Sequence, residues 1–418
     1  MTLRQLLLIG GALAAAAGCS KPVPSAPKAA LAAADSCGVE VVRTDALDAP
    51  EKHAWDLFIA LNHPAKDITK ARGEPDCSKP LGAPGTTSVW ETWRLARTEV
   101  FLADGSEPPA WEDTSIPGSL FGKTPDTTPS PHAPPGSPNK IEPASMKSGP
   151  KSAFDPAPNQ GVFTDHGGIG ETHMNRPTYD FIKTNCLWSY DGLSRYSKAV
   201  RDKKKPVIAL PIDSQEVKAV WVKFTPEDVA KGRQKTYYTA TVDGVTYGLT
   251  SFHLLTKDTP NWFWATFHHK ETPTNPDEKP STYPRPKEIT GTVWENYVLG
   301  GTQTEFVTPH GSPTKLSDHY IENGFTNSSC ITCHASAHGH PEPPRTADGK
   351  LERDDKGRIV AAGEGPQQRG GEDADRGIPI AADFERNGKL YFVQTDFLWS
   401  IPFRAREELK PPPQRCMF

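Results

Sequence analysis

The stretch YYTATVDGVTYGLTSFHLLT, residues 237–256, decides the fold class. Tyr, Thr and Val dominate its first half, Asp243-Gly244 interrupts it, and β-branched and aromatic residues resume at once. An Asp-Gly pair between two such runs is the signature of a type I′ turn, in which both central residues need positive φ. The spacing therefore predicts an antiparallel hairpin. Upstream, VKAVWVKF (217–224) alternates apolar and polar residues, as a strand with two unlike faces does. Downstream, NWFWATFHH (261–269), TVWENYV (292–298) and GKLYFVQTDFLWS (388–400) add further aromatic and β-branched runs. The last of these is expected to return to the body of the protein and close its sheet.

Helical signals flank this region. In DAPEKHAWDLFIALNHPA (48–65), Trp55, Phe58, Ile59 and Leu61 recur at helical spacing and Pro64 ends the pattern. RPTYDFIKTNCLWSYDGLSRYSKAVRDKKK (176–205) reads as two short helices, the first opening with Pro177. TTSVWETWRLARTEVFL (86–102) fits a strand or a short helix, and KLSDHYIENGF (315–325) a polar helical segment. With 42 Pro, 34 Gly and only 36% hydrophobic residues, much of the remainder must be loop. Residues 104–160, with 13 prolines, read as an irregular surface excursion, and residues 339–377 as an exposed loop. The class is α+β: an antiparallel sheet flanked by short helices, with long Pro/Gly-rich loops. Lysine and arginine total 47 against 51 acidic residues, so no basic footprint for a nucleic acid exists.

The N-terminus bears on compartment. MTLRQLLLIGGALAAAAGCS carries Arg4, then an apolar run too short to span a bilayer, then small residues, which predicts an export signal. The Ala16-Ala17-Gly18-Cys19 sequence looks like a bacterial lipobox. It implies a signal peptide over 1–18 and an acylated Cys19, while the other reading is an ordinary signal cleaved after Ala17 or Gly18. Residues 19–36, rich in Pro and Ala, read as a flexible tether. A residue other than Asp after the lipidated cysteine points to the outer membrane, on its periplasmic side. Of seven cysteines, Cys37, Cys77, Cys186 and Cys416 have neither lipid nor motif to account for them, which allows two disulfides in three pairings. Cys37 with Cys77 is favoured, since both lie near the start of the fold; buried free thiols are the alternative.

FTNSSCITCHASAHGH (325–340) holds the chemistry. Cys330, Cys333 and His334 form a CxxCH motif, the attachment pattern of c-type haem, in which two thiols add to the vinyl groups and the histidine binds iron. One helical turn brings both sulfurs to one edge of the ring. A tetrahedral zinc or copper site using His334, His338 or His340 is the competing reading, but no second CxxC or matching histidine pair lies at finger spacing. A Cys330–Cys333 disulfide is the third, and it lacks a thioredoxin-like context. His338 and His340 are expected in solvent.

VWETWR, MNRPTYDFI, AVWVKFTPED, YGLTSFHLLTKDTPNWFWATFHH, SSCITCHA and QTDFLWSIPF together resemble the bacterial periplasmic cytochrome c family, of the large mono-haem type. The resemblance implies one covalent haem c per chain on Cys330, Cys333 and His334, single-electron transfer, a periplasmic redox partner protein and attachment to a membrane through lipid. It divides the mature chain into an α+β body over 37–307 and, over 308–418, a haem attachment region with a returning strand. The second iron ligand departs from the usual pattern, since no methionine lies between His334 and Met417. Met174 is the first candidate, with a core-filling role as the alternative; His173, His253, His268 and His269 follow. Trp262, Phe263, Trp264 and Phe267 read as sheet core or as a haem wall. The alternative function is a haem enzyme, peroxidase or oxidoreductase-like, with an open iron face, and no catalytic residue is assigned.

Overall fold

A computed structural model describes residues 37–114, 168–242, 244–272, 281–318, 320–322, 327–352, 369 and 373–418. The signal peptide, Cys19, the tether, Asp243 and large parts of both Pro/Gly-rich loops lie outside the described residues. One seven-stranded sheet runs in the order β1 (Arg94–Leu95), β2 (Gly168–Met174), β3 (Gln215–Lys223), β5 (Val245–Thr256), β6 (Phe263–His269) and β7 (Tyr297–Gln303), with β4 (Thr239–Val242) also on β5. Every pairing in it is antiparallel. The hairpin is present, with Val242 opposite Val245 and Gly244 at φ 77°. β5 is the spine of the sheet. Its start lies between β3 and β4, and from Ser251 onward β6 takes the place of β4.

Side chains on a strand alternate between faces, so the register sorts every residue to one side. One face carries His173, Val217, Trp221, Phe252 and Phe267, and the helix Pro50–Asn62 packs on it. Phe58 stacks on Phe267 with centroids 4.3 Å apart and meets Phe252 edge-on at 5.8 Å, while Trp55 meets Phe267 at 4.9 Å. Removing such a ring from a close-packed core costs about 3–5 kcal/mol. The other face carries a row of Met174, Glu216, Leu255, Trp264 and Gln303, and beside it a row of Thr172, Lys218, His253, Thr266 and Gly301. This face is markedly polar. The C-terminal part of the chain covers it: Leu316 lies where a Cβ on Gly301 would meet its Cδ1 at 3.0 Å, and Ser400 donates to Glu216 at 2.6 Å.

Disulfides join Cys37 to Cys77, the favoured pair, and Cys186 to Cys416, 230 residues apart. Residues on both sides of position 307 share one hydrophobic core, which includes Leu255 and Trp264 together with Leu316, Ile331, Leu398 and Ile401.

Several expectations are corrected. GKLYFVQTDFLWS does not close the large sheet. Val393–Gln394 pairs with His338–Gly339 just beyond the CxxCH motif, Lys389–Leu390 with Glu385–Arg386, and Ser400–Arg404 is a short helix. Lys315–Ile321 is not helical in its described residues, because Asp318 accepts the Tyr320 and Ile321 N–H groups at 2.8 and 3.0 Å, a local turn that competes with a helix. His338 and His340 are not in solvent: they are 3% and 0% exposed, against Phe392 at 4.8 Å each. His268 and His269 are both buried rather than one of them, because both faces of β6 are covered. The start of the proline-rich excursion is not a free surface either. Trp111 is buried, and the buried Arg94 guanidinium donates to the Trp111 and Asp113 carbonyls at 3.0 and 2.7 Å. Residues 86–102 form neither a single strand nor a single helix: a 3-10 turn, the two residues of β1 and a π-turn follow one another.

Candidate functional site

Cys330–Ala335 forms a short helix, and each of its ends is held by side chains from elsewhere. Ser329 is the N-cap and accepts the Thr332 N–H at 3.3 Å. Gln303, at the end of β7, accepts the Ile331 N–H at 3.0 Å and donates to the Ser329 hydroxyl at 2.8 Å. At the C-terminal end, Trp399 donates its indole N–H to the Cys333 carbonyl at 2.9 Å and Gln394 donates to the Ala335 carbonyl at 2.8 Å. These carbonyls are the groups a helix terminus leaves unpaired. The segment Val393–Trp399 therefore wraps the end of the motif helix.

The same segment orients His334. Its Nδ1 lies 2.7 Å from the Phe397 carbonyl, which only accepts, so Nδ1 carries the proton and Nε2 keeps a lone pair. Its ring meets Trp264 of β6 edge-on at 4.6 Å. Burial pushes the imidazole down to about 4, with the Lys218 charge acting in the same direction and the Phe397 carbonyl opposing. The histidine is neutral near pH 7 and its free nitrogen suits a metal. A backbone acceptor on the other ring nitrogen is what fixes metal-binding histidines in place.

Neither motif cysteine is in a disulfide, Cys330 being buried and Cys333 partly exposed, whereas the other four described cysteines all are. Burial pushes the Cys330 thiol well above its usual range, and Glu322 adds to this. Its Sγ points to the Leu316 carbonyl at 3.4 Å. Among the described residues no group of three or more His, Cys, Asp or Glu side chains gathers in the manner of a metal site.

The candidate second ligands are sorted by the sheet. His173 faces the helix side, where Nδ1 reaches the Trp93 carbonyl at 3.2 Å and Nε2 the Glu171 carboxylate at 3.4 Å, away from the motif. His269 is on that side too, stacked on Tyr237 at 3.4 Å. Met174 is fully buried and on the motif side, but β3 and β5 separate it from Trp264, a lateral distance of roughly 14 Å at normal strand spacing. His253 lies one strand from Trp264 on the motif side. Its Nε2 is buried without a hydrogen-bond partner, and Glu322, at 3.9 Å, is too far to be one. Burial holds it well below its ordinary value, and the charges of Lys218, His334 and His268 add to this. His268 on the same face has the Asp318 carboxylate nearby, which pulls against the effect of burial. Phe263 and Phe267 are helix-side core, whereas Trp264 belongs to the site; Trp262 is buried, with its indole N–H 3.4 Å from Asp396.

Gln303, Gln394, Phe397 and Trp399 were not singled out from the sequence. The signal for the last three was Thr395-Asp396, a pair of turn formers inside a run that otherwise reads as a strand. No protein-family model matches the chain, no curated protein does, and no solved structure does.

Proposed function

We propose that the chain is a periplasmic c-type cytochrome that carries single electrons on one covalent haem, held through thioether bonds by Cys330 and Cys333 with His334 as the proximal iron ligand. The observation that carries this reading is the state of the six described cysteines: four are in disulfides, and the two outside any disulfide lie three positions apart on a CxxCH helix beside an oriented imidazole. In an oxidising compartment two thiols at this spacing escape oxidation to a disulfide if another reaction takes them first, and addition to two vinyl groups does so. When bound, the haem supplies a one-electron Fe(III)/Fe(II) couple. The chain's part is to hold Nε2 of His334 towards the metal through the Phe397 carbonyl, to keep that ring neutral, and to exclude water with Trp264 and the buried face of β5 and β6. The disulfides also support export, and the lipobox supports an anchor at Cys19 on the outer membrane and a redox partner in the periplasm.

The test is expression of the chain with a haem c maturation system, followed by a pyridine haemochrome spectrum and intact mass. One haem per chain is expected, lost on Cys330→Ser with Cys333→Ser. A colourless protein at the unmodified mass under these conditions would refute the proposal.

A further inference from the structure

We infer that His253 is the second axial ligand of the haem iron, opposite His334, and that Met174 is not. The inference rests on the haem reading above. Three observations carry it. The register of β5 turns Phe252 and Leu254 to the helix side and His253 to the face covered by the motif segment. Its Nε2 is 3.9 Å from the Glu322 carboxylate, has no hydrogen-bond partner, and belongs to a side chain 7% exposed. A buried nitrogen left unpaired in a close-packed protein calls for a ligand, because the missing hydrogen bond is otherwise a net cost. Finally, His253 neighbours Trp264, the residue in contact with the His334 ring, whereas Met174 lies beyond two further strands.

The ferric and ferrous spectra of the holoprotein decide the matter, with haem content measured on the same samples. The holoprotein is expected to be low-spin, with the electron paramagnetic resonance and near-infrared bands of two imidazole ligands. His253→Ala should become high-spin while keeping one haem per chain, and added imidazole should restore the low-spin form; Met174→Ala should leave the spectrum unmoved. If His253→Ala does not fold, His253→Met decides: loss of the imidazole-type near-infrared band supports the assignment, and its persistence overturns it. A high-spin native protein, or a low-spin His253→Ala protein, overturns the ligand assignment while one haem per chain remains. Absence of haem from the native protein overturns the function itself, so the two failures are distinct.

Discussion

Glu91 is 7% exposed, on the helix side of the sheet, where it accepts the Ser88 N–H at 2.7 Å and the Tyr238 hydroxyl and feels the His173 ring charge. Burial pushes its carboxyl up to about 7, the Tyr238 and Ser88 hydrogen bonds opposing it and the Glu171 charge assisting. The unfolded chain releases that proton near pH 4.5, while the folded chain keeps it until about 7. The folded state thus binds more protons across this window, and stability falls as pH rises through it, by at most about 3 kcal/mol. Glu91→Gln mimics the protonated form. The stability gap between Glu91→Gln and the native protein, from melts between pH 4.5 and 7.5, should grow with pH in favour of the variant. A gap that does not change with pH would show that the carboxyl is ionised in the fold.

At the scale of elements, the segment Val393–Trp399 has the most consequence for its length. Asp396 and Phe397 take φ values of 48° and 70°, a left-handed conformation that costs a bulky residue of order 1–3 kcal/mol. Asp396 offsets this by accepting the Leu210 N–H at 2.7 Å and the Lys257 ammonium at 2.5 Å. Asp396→Ala leaves that ammonium, 16% exposed, without its charge partner, and should cost about 2–3 kcal/mol in chemical denaturation, less than a fully buried pair because water still reaches it. A loss below about 0.5 kcal/mol, the range of an ordinary surface substitution, would show that the segment is held by other contacts. The same segment marks where the sequence stopped being legible. The helix at Pro50–Asn62, the pair Arg176–Thr184 and Tyr190–Arg201, and the strands from Gln215 to His269 follow from local sequence pattern, whereas TVWENYV is mostly not strand: Val293–Asn296 is a 3-10 turn and the strand begins only at Tyr297. Phe392, Val393, Phe397 and Leu398 have strand-like composition, yet tertiary contacts bend them around a helix 60 residues earlier in the chain, and composition carries no trace of that. The motif cysteines and His334 stand out in the sequence for the opposite reason, since the CxxCH spacing is itself the signal. Met174 was singled out from a local phrase, and its separation from Trp264 depends on strand order, which no local phrase encodes.

For the whole molecule, the Cys186–Cys416 bond ties the end of the chain to the junction of two helices, across 230 residues. Bonds closing long loops stabilise by about 2–5 kcal/mol. In a chain beginning at Ser20, thiol titration after denaturation without reductant should find two thiols when the protein is made without haem maturation and none when it is made with it. Cys416→Ser should add one to each count and lower stability by about 2–5 kcal/mol. Two thiols in the matured protein would contradict their consumption. The position of these parts along the chain also implies an order in time. Residues 330–334 are made some sixty residues ahead of Trp399, the indole that closes over them, and well ahead of Cys416. On the proposed function, a growing chain would thus offer its two sulfurs for attachment before the indole that covers them has been made.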